Sequence, residues 1–168
     1  MEYKKKICML GSFSVGKTSL VRRYVQSIFD DKYLTTVGVK VDKKQIQVGA
    51  HTVIMMLWDI YGEDDFQKLR MSYLRGANGY LLVADGTRRA TFEKALEIHA
   101  RVQSGPDAAP AVLVVNKVDL AADWEVTPEM LEDLRTRGWR HLESSAKTGQ
   151  GVELAFQALA TMMLEPKP

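Results

Sequence analysis

This 168-residue sequence predicts an α/β fold: a six-stranded, mostly parallel sheet with one antiparallel edge strand and five helices. Three observations carry that prediction. Apolar runs of strand length alternate with segments of helical period, the order expected of βαβ units. Leu81-Leu82-Val83 and Val112-Leu113-Val114-Val115 are continuous apolar runs, as strands covered by helices on both faces require. Gly11-Ser12-Phe13-Ser14-Val15-Gly16-Lys17-Thr18 has the spacing GxxxxGK[ST], placed between an apolar stretch and a helical segment.

The elements follow in order. The first strand, 5–10, contains Ile7-Cys8-Met9-Leu10 and runs into the glycine-containing loop. Helix 17–26 comes next, carrying Leu20, Val21 and Tyr24. Strands 38–48 and 52–59 flank Gly49-Ala50-His51 and read as an antiparallel hairpin at the sheet edge. Helix 66–73, strand 79–84, helix 91–103, strand 111–115, helix 128–136, strand 139–142 and helix 152–164 complete the pattern. In the last helix Val152, Phe156, Leu159 and Met163 form one apolar stripe. Met55-Met56 and Met162-Met163 read as core filler. With no repeat, low-complexity tract or linker, residues 1–168 are expected to form a single domain.

Composition excludes several classes of function. Hydrophobic residues at 46% and charged residues at 26% are ordinary for a globular protein. A net charge of +2 offers no electrostatic case for nucleic acid, and Lys4-Lys5-Lys6 reads as a solvated lead-in to a strand. Cys8 is the one cysteine, so no internal disulfide can form, and its apolar setting marks it as a core residue. His51, His99 and His141 stand in unrelated contexts, so no zinc site is expected. No segment nears the roughly 20 apolar residues of a membrane helix, and the N-terminus lacks a signal-peptide core. A cytoplasmic location is the expectation.

The loop names a ligand. Its glycines let backbone N–H groups of Ser14, Val15, Gly16, Lys17, Thr18 and Ser19 converge on phosphate oxygens, aided by the positive end of the following helix. Lys17 can reach the β- and γ-phosphates, and the Thr18 hydroxyl can ligate Mg²⁺. Such a loop alone leaves ATP, GTP and small-molecule kinases open. In Trp58-Asp59-Ile60-Tyr61-Gly62 a strand ends on a carboxylate able to hold Mg²⁺, and the Gly62 N–H can approach a γ-phosphate. Asn116-Lys117-Val118-Asp119 narrows the base. A carboxylate at Asp119 accepts from both N1–H and the 2-amino group of guanine, a pair that adenine lacks. Asn116 can brace the phosphate loop, the Lys117 stem can lie over the base, and Ser145-Ala146-Lys147 can supply a backbone N–H to guanine O6. The base is read as guanine.

With these residues the sequence resembles the Ras superfamily of small GTPases, and most closely its Rab branch, over nearly the whole chain. Tyr33-Leu34-Thr35-Thr36-Val37-Gly38-Val39, Tyr73-Leu74-Arg75-Gly76-Ala77 and Glu143-Ser144-Ser145-Ala146-Lys147-Thr148 look like further family stretches. The resemblance implies the P-loop NTPase, small G-protein fold, with GTP or GDP and Mg²⁺ as cofactors. It implies that Thr36 joins Thr18 and Asp59 on Mg²⁺, that Phe29 packs against guanine and that Tyr33 lies beside the nucleotide. Lys17, Thr36, Gly62 and Glu63 take the catalytic positions. Switch I (from Asp30 to Gly38) and switch II (from Ile60 to Ser72) would be ordered by the γ-phosphate and meet effectors, an exchange factor and a GTPase-activating protein. A monomer is expected.

The sequence departs from the family at several places. Glu63 stands where relatives usually have a water-orienting glutamine, and a carboxylate only accepts. Phe13 occupies a phosphate-loop position that is small in most relatives, and no arginine lies between Asp30 and Val39. Slow hydrolysis is therefore expected; the alternative is that Asp64 or Tyr61 orients water and the rate is ordinary. The rival readings are a pseudo-GTPase, holding GTP without significant hydrolysis, and an ATP-using phosphate-loop enzyme. Rab proteins carry prenylated C-terminal cysteines, whereas Glu165-Pro166-Lys167-Pro168 ends this sequence without a C-a-a-X box, and Glu2 excludes N-myristoylation. Either a lipid-modified tail has been removed or the protein does not act on vesicles; no membrane anchor is expected in this chain. Of the aromatic cluster through which Rab switches meet effectors, Trp58 and Tyr73 match while Val41 replaces a phenylalanine.

Overall fold

A computed structural model describes residues 1–12, 14–26, 38–61 and 71–165. In chain order these form β1 (Glu2–Gly11), α1 (Lys17–Gln26), β2 (Gly38–Val48), β3 (His51–Tyr61), β4 (Gly79–Asp85), α2 (Arg89–Gln103), β5 (Ala111–Asn116), α3 (Pro128–Thr136), β6 (His141–Ser144) and α4 (Val152–Leu164). Short 3₁₀ helices occupy Met71–Leu74 and Val118–Asp123. The sheet order is β2-β3-β1-β4-β5-β6. Among the described residues only β2 runs antiparallel, pairing with β3 at the edge; every other neighbouring pair there is parallel. This is the fold class predicted.

Alternation along the strands divides the core into two layers. Ile7, Met9, Leu81, Val83, Val112 and Val114 face α1 and α4, where they meet Leu20, Val21, Phe156 and Leu159. Tyr24 of α1 stacks on Phe156 of α4, with centroids 4.0 Å apart and planes within 3°. Cys8, Leu10, Tyr80, Leu82, Leu113 and Val115 face the other way, toward Phe92, Ile98 and Val102 of α2 and Leu131 and Leu134 of α3. Helices on both faces explain why β4 and β5 read as unbroken apolar runs. Burial pushes the Cys8 thiol up to about 12, as a core cysteine should be.

Several boundaries differ from expectation: β1 begins at Glu2 instead of 5, β3 runs past Asp59 to Tyr61, and α2 begins at Arg89 instead of 91. The hairpin turn is two residues, Gly49-Ala50, because His51 already pairs with Val48. The last strand starts at His141, not 139: the Trp139 N–H donates to Leu134 O at 3.0 Å, keeping that residue on the exit from α3. Its ring instead packs beside the second core layer, so an apolar residue after a glycine mimicked a strand start. The expected helix 66–73 lies mostly outside the described residues; its end overlaps the 3₁₀ turn at Met71–Leu74. Among the described residues, no helix is long and apolar enough to cross a membrane.

Candidate nucleotide site

Parallel strands bring their carboxyl ends to one edge, where ligands of open α/β sheets bind. Register sets the residues side by side. Met9 pairs with Asp59, Gly11 with Val83, Asp85 with Asn116, and Asn116 with Ser144. Five loops therefore leave the sheet at nearly one level.

The first is the phosphate loop. Ser14 adopts φ 59° and Gly16 φ 103°, the left-handed region that turns successive N–H groups inward. Gly16 cannot be larger: a Cβ there would lie 2.3 Å from Asn116 Nδ2. Lys17 Nζ donates to Gly11 O at 2.6 Å and Ser12 O at 3.1 Å, so the ammonium lies folded over the loop. Thr18 and Ser19 follow within the first turn of α1, and Val15 is fully buried.

Asp59, near the end of β3, is 1% exposed, and neither of its oxygens closes a hydrogen bond. Burial pushes its carboxyl up, while the Thr18 hydroxyl and the Lys17 ammonium pull it part of the way back. A buried carboxylate with no donor beyond a poorly aligned Thr18 hydroxyl is costly unless something else satisfies it. With the neighbouring hydroxyl it offers the hard oxygen donors that Mg²⁺ takes.

Asn116 joins three loops. Its Nδ2 donates to Val15 O at 3.0 Å, and its Oδ1 accepts from Ser144 Oγ at 3.1 Å and Ala146 N at 3.3 Å. Lys117 has a left-handed backbone, φ 73°; its Nζ lies 2.8 Å from Asp85 Oδ2 and donates to Ser14 O at 3.3 Å. Asp119 accepts from Ser145 Oγ at 2.7 Å, and that hydroxyl accepts from Thr148 N at 3.0 Å. The side chain of Ser145 thus orients the carboxylate, while its own N–H is committed to Gln150 O at 2.9 Å. Lys147 lends its carbonyl to Arg23 Nη2 at 2.6 Å, fastening this loop to α1.

Phe13, Phe29, Tyr33, Thr36, Gly62, Glu63 and Asp64 lie outside the described residues, as do most of both switches. Trp58 is half-buried, and Lys6 Nζ stands 3.8 Å over its ring while donating to Arg75 O at 2.9 Å. Val41 of β2, paired with Trp58 of β3, is 43% exposed.

Asp85 does not stand out in the sequence, though a polar residue closing an apolar strand is its signal, as at Asn116. It is 1% exposed and accepts from Thr87 N, Thr87 Oγ1 and Arg88 Nε besides meeting Lys117. Burial raises its carboxyl, but Lys117, Thr87 and Arg88 together hold it below the ordinary 3.8. A lowered carboxyl contributes stability that is present above about 3.8 and lost as pH falls through its lower folded value. Thermal melts across acid pH should therefore decline more steeply for the parent than for Asp85→Asn; parallel declines would contradict this.

Comparison with known proteins agrees with this geometry. The Ras family profile matches residues 6–165. The chain belongs to the Ras family. It is 35% identical to the Ras-related protein RABC1 of Arabidopsis thaliana, covering 98% of this chain and 79% of that one. It is 32% identical to Rab-18 of Caenorhabditis briggsae (95% and 80% covered) and 34% identical to human Rab-21 (97% and 73%). This Ras-family chain is accordingly a Rab-like small GTPase, of a family that binds GTP, GDP and Mg²⁺ and meets effectors, exchange factors and GTPase-activating proteins.

Proposed function

We propose that this chain is a guanine-nucleotide switch that hydrolyses GTP slowly, keeps a long-lived GTP form and signals from the cytoplasm to a protein effector through switches I and II. The observation that carries the reading is the Asp119 carboxylate, held by Ser145 at 2.7 Å in a loop that Asn116 ties to the phosphate loop at 3.0 Å. Base and phosphates are thereby read by one connected unit. Ser14 to Ser19 hold the phosphates, Lys17 unfolding from Gly11 and Ser12 onto them; Phe29, Tyr33, Asn116, Lys117, Asp119 and residues Ser145, Ala146 and Lys147 surround the nucleoside. Thr18, Thr36 and Asp59 would hold Mg²⁺, which neutralises phosphate charge when bound.

Slowness rests on Glu63 and Phe13. A carboxylate cannot donate to the attacking water's partners, and an aromatic ring crowds the γ-phosphate and any arginine entering from a partner. Single-turnover hydrolysis should run at or below the roughly 3–5 × 10⁻⁴ s⁻¹ of an unassisted Ras-type enzyme. The double variant Glu63→Gln, Phe13→Gly should be faster. A parent well above that rate, or a double variant no faster, would refute slow hydrolysis. The unpaired Asp59 beside Thr18 favours Mg²⁺-dependent turnover over a pseudo-GTPase that holds GTP without hydrolysis; EDTA should therefore abolish phosphate release measured over hours.

A further inference from the structure

Trp124 follows the 3₁₀ turn that carries Asp119, and its Nε1 donates to Lys117 O at 2.9 Å. That carbonyl also accepts from Leu120 N at 2.9 Å, so two donors fix the orientation of a peptide whose residue sits at φ 73°. Left-handed backbone at a non-glycine residue is strained and persists only where the surroundings enforce it.

The indole reaches this carbonyl across Gly86. A Cβ on Gly86 would lie 2.1 Å from Trp124 Cε2 and 2.5 Å from its Nε1, so the ring lies flat on bare backbone. Gly86 is itself stitched to both ends of the base-reading segment. Its N–H donates to Asn116 O at 3.0 Å, and its carbonyl accepts from Glu125 N at 2.8 Å and Val126 N at 3.2 Å. Asp85, next in sequence, holds the Lys117 ammonium from the other side. On its outer side the indole borders an open cavity of about 510 Å³ shared with Val126, Leu131 and His141.

We propose that Trp124, seated in the gap that Gly86 leaves, is a positioning residue for guanine: it fixes the Lys117 peptide and so the platform on which the base lies. This rests on the guanine-nucleotide reading above. Gly86 does not adopt positive φ, so alanine is conformationally allowed there, and the three atoms nearest its Cβ all belong to the indole.

The test uses the full chain loaded with methylanthraniloyl-GDP, following its release into excess GDP. Trp124→Phe keeps an aromatic ring and removes the donor; Gly86→Ala keeps the donor and displaces it. Each should release nucleotide about tenfold faster, the scale of one lost hydrogen bond. Adding Gly86→Ala to Trp124→Ala should change nothing further, because no ring remains to strike. Lys117→Ala should accelerate release far less in the Trp124→Phe background than in the parent, whereas a merely structural role would make the two effects additive. Release at the parental rate from Trp124→Phe, or an additive cycle, overturns the proposal. A parent that binds no GDP overturns the nucleotide reading with it.

Discussion

Asp119→Ala is expected to weaken GDP binding by roughly 10²–10⁴-fold, on the basis of two hydrogen bonds to a charged acceptor at about 1.5–3 kcal/mol each. The carboxylate is positioned before any ligand arrives: Ser145 Oγ donates to Oδ1 at 2.7 Å and is itself oriented by Thr148 N at 3.0 Å. Asp119 is exposed, so its loss should cost the fold little, and a near-parental melting temperature is expected. The sharper signature is selectivity. Inosine diphosphate lacks the 2-amino group and leaves one lone-pair direction of the parent carboxylate unmatched. The parent should therefore prefer GDP over inosine diphosphate, and the alanine variant should bind the two alike. Calorimetric titration with both nucleotides reads this directly. Losses of equal size for both would mean that Asp119 does not read the 2-amino group.

How much of this was legible in the sequence depends on whether a residue acts alone or through a neighbour. The phosphate loop was legible because its chemistry demands fixed residue types at fixed spacing, and strands β4 and β5 because burial on both faces leaves no polar positions to interrupt them. Asn116 could be read as a brace from its place after β5, and its amide does reach Val15 O at 3.0 Å. Asp85, Gly86, Trp124 and Arg23 could not be read as a group. Their link to the site exists only once β4 lies beside β5 and α1 lies against the loop after β6; nothing in the spacing of Arg23 and Lys147 announces their 2.6 Å contact. Trp139 shows the converse error. An aromatic residue after Gly138 carries the local signal of a strand start, yet the hydrogen bond to Leu134 claims it for the end of α3. The alternation of apolar runs and helical segments carried the fold class, and the supporting contacts come only with the folded arrangement.

Asp59→Asn should stabilise the nucleotide-free, metal-free protein while weakening its hold on Mg²⁺ and GDP. The carboxylate is 1% exposed with no well-formed hydrogen bond at either oxygen, and burial disfavours its charged form. Asparagine keeps the shape, removes the buried charge and so relieves a desolvation cost that the Thr18 hydroxyl and Lys17 ammonium offset only in part. In EDTA the variant should melt several degrees higher, on a scale of about 2–4 °C per kcal/mol for a domain of this size. With Mg²⁺ and GDP the order should reverse, because an amide is a far poorer ligand for a hard cation than a carboxylate. Binding to the folded state alone raises the parent's stability by mass action, and the variant forgoes most of that gain. The crossing of the two melting temperatures on adding Mg²⁺ with GDP is the decisive measurement. A variant less stable than the parent in EDTA would show that Asp59 is already satisfied within the protein. In that case the desolvation cost assigned to this position, which makes the site without its ligands unstable and the loaded one favoured, would have to be sought elsewhere along the carboxyl edge of the sheet.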